Sequence, residues 1–167
     1  PQAKSLELFS EYLRAPAGQK LLARMKKETR GNLVEILEVS KSYFQGVSEA
    51  HEFDTFERAF PAYTFALATG VGKTRLMGAF VAYLYLVYNI QHFLIVAPNL
   101  TIYRKLLEDF SRSNNPKYVF KGIQEINVST AYIITTDNYA TQRAQSLFGN
   151  QIEINIFNIQ QFAQKDM

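Results

Sequence analysis

A short glycine-rich turn, followed at once by a long uncharged stretch, limits what this chain can fold into. The turn covers residues 68–74 and reads ATGVGKT, and residues 76–90 behind it carry no charged side chain. Glycine adopts positive φ readily, so the backbone can approach a ligand closely. A helix that starts near Lys73 points its first N–H groups and its positive dipole end at the turn. With the apolar run 63–68 in front, the pattern predicts a strand, a phosphate-binding turn and a helix.

Each side chain at the end of the turn has an expected role. Lys73 is expected to reach the β- and γ-phosphates of a nucleotide, and the Thr74 hydroxyl to ligate Mg²⁺. These two are the predicted catalytic residues, Thr74 is the predicted metal ligand, and the predicted cofactors are ATP and Mg²⁺. One position departs from the usual pattern, since Leu67 stands where its first glycine is expected. The predicted cofactor-binding residues are Thr69, Gly70, Val71, Gly72, Lys73, Thr74 and Arg75.

Composition is that of a folded, cysteine-free domain. The 167 residues are 47% hydrophobic and 20% charged, which suffices for a core and argues against disorder. The absence of cysteine excludes a disulfide framework, a thiolate zinc site and a cysteine nucleophile, and it fits a cytoplasmic location. A net charge of +3 permits a nucleic-acid partner without requiring one. We expect no membrane span, because the apolar stretch over residues 76–90 is shorter than the roughly 20 residues that crossing requires.

Residues 1–50 have the apolar spacing of helices, with residues 16–18 breaking the first helix from the second. Asn32 followed by Glu35 is typical of a capping box and predicts the start of a third helix, which Gly46 ends. We therefore predict a helical lead-in over residues 1–50. Residues 51–167 are predicted to be the first part of an ATP-binding domain.

Strands alternate with helices in the second part of the chain. Residues 93–97 are uninterruptedly apolar, which predicts a strand buried on both faces. A helix is predicted after Pro98 and Asn99, and another near Gln160. The alternation favours βαβ units, an α/β fold and a mainly parallel sheet. Shorter strands are predicted over residues 117–120, 131–135 and 152–157.

Three segments resemble those of superfamily 2 helicases and translocases. Residues 68–74 read like motif I, and many members carry a non-glycine residue where Leu67 sits. Residues 93–100 resemble motif Ia, a strand that ends in a proline turn before a helix, and residues 154–162 resemble the segment preceding the Walker B strand. The likeness is greatest to the motor (R) subunit of restriction enzymes, Type III rather than Type I, over about residues 60–162.

The resemblance implies an incomplete RecA-like P-loop domain. It implies the ATP-binding part of an ATP-dependent DNA translocase or helicase, a hydrolase of a restriction–modification system. Double-stranded DNA is the implied partner, together with a modification (methyltransferase) subunit. Plain helix capping by Asn99 and Thr101 is an alternative that is compatible with contacts to DNA phosphates. The residues that the resemblance places on the nucleic-acid backbone are Pro98, Asn99, Leu100 and Thr101.

An acidic pair for hydrolysis is missing, since no Asp-Glu dipeptide occurs in the sequence. The family's order of motifs places Walker B after residue 162. Asp137 follows an apolar run, and we interpret it as a solvated turn residue in preference to a metal ligand. The sequence begins without Met and ends without a helix cap. We therefore expect an N-terminal fragment of a longer chain that does not turn over ATP by itself.

Two other functional classes stay open. A small P-loop phosphotransferase (kinase) suits the length, but such enzymes usually open with the phosphate loop and need lid arginines. A binding module that docks a partner through its helical segment is the third hypothesis. His51 and His92 lack metal-ligand companions in sequence. The basic run over residues 20–30 is interpreted as a solvated face, with a DNA-binding patch as its alternative.

Overall fold

The computed structural model describes residues 1–26, 32–48, 50–126, 131–139, 141 and 151–160. The chain divides into two compact units, Pro1–Val71 and Gly72–Met167. No helix in the described part of the chain is long and apolar enough to span a membrane. In the first unit the elements are α1 (Gln2–Arg14), α2 (Pro16–Met25) and α3 (Leu33–Phe44). In the second they are α4 (Lys73–Tyr88), β1 (His92–Ala97), α5 (Leu100–Ser111), β2 (Ala131–Ile134) and β3 (Ile152–Asn158).

Local sequence explains how the helices of the first unit begin. Pro16 occupies the first turn of α2, where its missing N–H has no intrahelical partner to lose. Ala15 is extended at φ −70° and ψ 160°, the conformation that a following proline favours. The predicted cap of α3 is present, because Asn32 Oδ1 accepts a hydrogen bond from the Val34 N–H at 3.0 Å. α2 ends at Met25, and Lys26 is its C-cap.

An aromatic cluster forms the core of the first unit. The Tyr12 ring stacks on Phe44 with centroids 5.1 Å apart and lies 5.0 Å from the ring of Tyr63. Each such pair contributes about 0.5–1.5 kcal/mol beyond its buried area. The cluster therefore fastens the irregular connector after α3 to both α1 and α3. Its members are Tyr12, Tyr43, Phe44, Phe53, Phe56 and Tyr63.

A parallel sheet of strand order β1-β3-β2 forms the framework of the second unit. β3 is central, and its inward residues Ile152, Ile154 and Ile156 are fully buried. They share one hydrophobic core with Val81 and Ala82 of α4 and with residues of α5. Since parallel strands need crossover connections, this arrangement confirms the predicted α/β class with a parallel sheet.

The prediction that residues 93–97 are buried on both faces is wrong. Ile95 and Ala97 lie in the core, whereas Leu94 is 61% exposed and Val96 44% exposed. Among the described strands β1 pairs only with β3, and the core that includes α5 residues covers the Ile95 face. An apolar run shows that a strand fits a sheet, but it does not show that both faces are covered.

Two of the predicted strands, over residues 117–120 and 63–68, are absent. Residues 117–120 form turns, although Tyr118, Val119 and Phe120 are buried. The Val119 N–H donates to the Asp109 carbonyl at 2.9 Å, so this segment is anchored to the end of α5 and not to a strand. Residues 63–68 are irregular and mostly exposed, and none of the described strands pairs with them. The apolar, β-forming residues at 117–120 are therefore explained by contact with a core, and those at 63–68 by contact with helix α1.

Candidate phosphate-binding loop and nucleic-acid interface

The glycine turn has the backbone conformation of a tight, left-handed loop. Gly70 has φ +84° and Gly72 has φ +80°, a region that residues with a Cβ rarely adopt. A Cβ added at Gly70 would meet nothing within 4 Å, so glycine is required there by torsion and not by space. Gly72 is also the N-cap of α4. The loop thus delivers the chain directly into the first turn of a helix.

The start of α4 is suited to an anion. No acidic residue lies in its first turn, and its N-cap residue, Gly72, has no side chain with which to cap it. Lys73 and Arg75 instead place two cations at the positive end of the helix dipole, an arrangement that costs about 0.3–1 kcal/mol per charge unless an anion offsets it. The first N–H groups of a helix also have no intrahelical partner. The residues present therefore fit a phosphate group.

The seven loop residues differ in exposure. Thr69, Lys73 and Arg75 are exposed, whereas Val71 and Thr74 are half-buried. The Arg75 guanidinium donates from Nη2 to the Lys121 carbonyl at 3.0 Å, so this side chain is tied to the segment after α5. The boundary between the two compact units falls between Val71 and Gly72.

One contact with the loop is signalled by no sequence pattern. The Gln2 carboxamide in the first turn of α1 donates from Nε2 to the Val71 carbonyl at 2.5 Å, across a sequence separation of 69 residues. Long-range hydrogen bonds of this kind depend on how α1 packs in the first unit. Periodicity and motif spacing carry no information about them.

The predicted nucleic-acid residues lie at the carboxyl end of β1, and all four are exposed. Asn99 caps α5, because its Oδ1 accepts a hydrogen bond from the Ile102 N–H at 2.9 Å. Capping satisfies one N–H of the first turn. The neighbouring residues Pro98, Leu100 and Thr101 are exposed. The geometry shows the capping role of Asn99 and is compatible with a phosphate contact at the same helix end.

The turn after β2 lies beside the start of α5. Burial raises the pKa of Tyr103 above its usual value, and the charge of Asp137 raises it further, while hydrogen bonds with Thr136 and Thr135 lower it. The side chain of Asn138 closes the turn by accepting from the Thr135 N–H at 2.7 Å. Since carboxyl ends of parallel strands meet at one edge, this turn and residues 98–101 share that edge. Tyr103 lies at the same edge, although its place in the apolar repeat of the helix indicates only a core position.

Asp137 is exposed in this turn. Within the described ranges, no group of three or more His, Asp or Glu side chains is arranged to hold a metal ion. His92 Nδ1 lies 3.6 Å from Glu153 Oε2 across the sheet register, which gives this histidine a pairing role on the surface.

A parallel α/β sheet with a left-handed glycine loop opening a helix defines the P-loop class of nucleotide-binding domains. Within that class the chain belongs to the family described as Type III restriction enzyme, res subunit, whose family model matches residues 19–166. The resemblance drawn from the motifs is thereby confirmed, and the chain is the helicase-like, ATP-binding part of a restriction enzyme R subunit. Searches of curated proteins and of solved structures gave no significant match.

Proposed function

We propose that this chain holds MgATP for an ATP-dependent DNA translocase or helicase that serves a restriction endonuclease. The observation that carries the proposal is the pair of left-handed glycines, Gly70 and Gly72, directly before a helix whose first turn holds two cations and no acid. Lys73 contacts the phosphates, and the Thr74 hydroxyl holds the metal ion. The remaining contacts come from Thr69, Gly70, Val71, Gly72 and Arg75.

Bound ATP supplies a phosphoryl group whose transfer to water releases free energy. The residues of this chain bind and orient it: backbone N–H groups and the ammonium of Lys73 offset the negative charge of the phosphates. Activation of water needs an acidic side chain beside the metal. The sequence has no Asp-Glu dipeptide, so we propose that the water-activating acid lies elsewhere in the intact protein and that this chain alone binds nucleotide without hydrolysing it.

We further propose that Pro98, Asn99, Leu100 and Thr101 face the phosphate backbone of double-stranded DNA. Their exposure, their place at the carboxyl edge of the sheet and the N-terminal amides of α5 support this. Such contacts position a protein on DNA without reading its sequence. A methyltransferase subunit as partner and a cytoplasmic location belong to the same proposal.

The test is ATP turnover by the intact protein with and without double-stranded DNA. The proposal predicts hydrolysis that rises on addition of DNA and a Lys73→Ala variant that lacks it. Lys117→Ala, an exposed lysine outside the loop, is the matched control and should hydrolyse ATP as the wild type does. Phosphate transfer to a small acceptor, with no response to DNA, would contradict the proposal and favour a kinase.

A further inference from the structure

Two residues of α4, one helical turn apart, contact the bridging segment (residues 117–121). The Arg75 guanidinium donates from Nη2 to the Lys121 carbonyl oxygen at 3.0 Å. The backbone of Gly78 lies against Val119, so that a Cβ on this glycine would lie 2.5 Å from the Val119 Cβ. Residues three apart share one face of a helix. The first two turns of α4 therefore hold the bridging segment.

The bridging segment is also bound to the end of α5. The Val119 N–H donates to the Asp109 carbonyl oxygen at 2.9 Å, and Asn115 donates from Nδ2 to Oδ1 of the buried Asp109 side chain at 3.3 Å. The ring of Phe120 meets that of Phe110 edge-on, with centroids 5.8 Å apart. The bridging segment therefore connects the start of α4 with the end of α5.

The two contacts with α4 differ in exposure. Gly78 and Val119 are buried, so their packing is fixed by the core. Arg75 instead lies at the solvent surface in the first turn of α4. A guanidinium carries five N–H groups in a rigid fork, which lets it bind two acceptors at once. Arg75 is therefore suited to hold the Lys121 carbonyl together with a phosphate at the start of α4.

Sharing one guanidinium makes the two bonds support each other. A long, exposed side chain loses rotamer freedom when it is held in one conformation. A phosphate that holds Arg75 removes part of this freedom, so the bond to the Lys121 carbonyl then forms at a smaller entropic cost. Thermodynamic linkage makes the effect reciprocal, since the bond to Lys121 favours phosphate binding by the same factor.

We propose that Arg75 transmits nucleotide binding from the start of α4 to α5. A bound phosphate strengthens the bond from Arg75 to the Lys121 carbonyl, and this bond fastens the bridging segment to α4. The inference rests on the proposed function, because it requires a phosphate beside Arg75. It goes further by giving the nucleotide an effect on α5, the helix that starts within the proposed DNA-facing residues 98–101.

The chain offers a matched pair of substitutions. Arg75→Lys keeps a positive charge at the start of α4, but it replaces the rigid fork by one ammonium group on a flexible stem. This variant retains attraction for a phosphate and loses the fixed second bond to the Lys121 carbonyl. Arg104→Lys makes the same chemical change at an exposed position of α5, outside both the glycine loop and the bridging segment.

The experiment measures amide hydrogen exchange over the bridging segment in the intact protein, with and without saturating Mg·ADP. We expect the nucleotide to slow this exchange about five-fold in the wild type and in Arg104→Lys, which corresponds to about one hydrogen bond. In Arg75→Lys, with the site kept filled by saturating Mg·ADP, the slowing should be absent. Calorimetry should show that the ADP affinity of this variant is lower by up to the same factor.

Equal slowing in Arg75→Lys and the wild type would overturn the inference, because the nucleotide would then act on the bridging segment without Arg75. So would an exchange rate that Mg·ADP leaves unchanged in the wild type, or a loss of the effect in Arg104→Lys as well. These outcomes leave the proposed function intact, provided that the wild type binds ADP and Lys73→Ala does not. A wild type that binds no ADP would overturn the proposed function and this inference together.

Discussion

The backbone of Gly78 in α4 lies directly against the side chain of Val119: a Cβ atom on Gly78 would lie 2.5 Å from Cβ of Val119 and 3.2 Å from the Val119 carbonyl oxygen. Glycine within a helix costs about 1 kcal/mol relative to alanine. The close approach explains its presence, since it lets the turn over residues 117–120 bury its apolar side chains in the core.

Gly78→Ala should therefore destabilise the second unit in spite of the better helix propensity of alanine. The added methyl group needs a shift of the Val119 segment, and we expect a loss of about 1–3 kcal/mol in free energy of unfolding. Urea unfolding measures it. Gly46→Ala is the control, because its nearest contact would be the Tyr43 carbonyl oxygen at 3.6 Å. A Gly78→Ala variant as stable as Gly46→Ala would show that the helix and the turn do not pack this closely.

Sequence patterns predict a helix or strand correctly where neighbouring residues determine its conformation. The caps at Asn32 and Asn99 and the helix after the glycine loop follow from neighbouring residues, so the helices were anticipated to within a few positions. The sequence predicts a strand over residues 117–120, but apolar β-forming residues suit any buried site. Their close contact with Gly78 depends on packing between segments distant in sequence.

The candidate site shows the same division. Glycine at positions 70 and 72 predicts a positive φ, and both Gly70 and Gly72 have one. The bond from Gln2 to Val71 and the placement of Tyr103 beside Thr135 depend on tertiary packing, which no spacing rule encodes. The exposure of the outer face of β1 could not be predicted for a related reason. The apolar character of a residue does not show whether another element covers it.

At Gly70 the expected effect of substitution is torsional. Its φ of +84° costs a residue with a Cβ about 1–2 kcal/mol, although space for the Cβ is open. Gly70→Ala should weaken ATP binding by about tenfold. Gly70→Asn should weaken it less, since Asn tolerates the left-handed region better. Calorimetric titration distinguishes them, and an unaltered affinity in Gly70→Ala would show that nucleotide binding does not use this loop conformation.

Adding a negative charge at Asn99 distinguishes a role in helix capping from a role in contact with DNA. Aspartate caps a helix as well as asparagine does, so Asn99→Asp should keep the stability of the protein. If residues 98–101 face DNA phosphates, the new charge should weaken DNA binding by about tenfold at low salt. Asn32→Asp, at the equivalent cap of α3, is the control for a binding titration. Unchanged DNA affinity in Asn99→Asp would leave capping as the sole role of this residue.

The buried hydroxyl of Tyr12 makes the stability of the first unit fall at alkaline pH. Burial raises its pKa well above the ordinary value of 10.0, and its hydrogen bond with Tyr63 raises it further while that with Ser40 lowers it. In the unfolded chain this hydroxyl ionises near its ordinary value, so ionisation favours unfolding. The contribution of the un-ionised hydroxyl to the free energy of unfolding is complete below pH 10. It is lost as the pH rises above that value.

Tyr12→Phe should consequently lose about 1 kcal/mol at neutral pH, because two hydrogen bonds disappear. It should also lose less additional stability between neutral pH and pH 11 than the wild type does, as measured by urea unfolding across pH. Tyr139→Phe, at a half-exposed tyrosine of the second unit, controls for the removal of a hydroxyl. A Tyr12→Phe variant with the alkaline dependence of the wild type would contradict the buried, un-ionised hydroxyl.

Whether residues 69–75 bind phosphate is tested by the nucleotide affinity of a variant at Lys73. Calorimetric titration of the intact protein with Mg·ATP should give saturable binding, which Lys73→Ala abolishes because the ammonium group at the start of α4 is lost. Lys117→Ala, another exposed lysine of the same unit, should bind as the wild type does. Wild-type affinity in Lys73→Ala would contradict the account of residues 69–75 as the phosphate-binding loop.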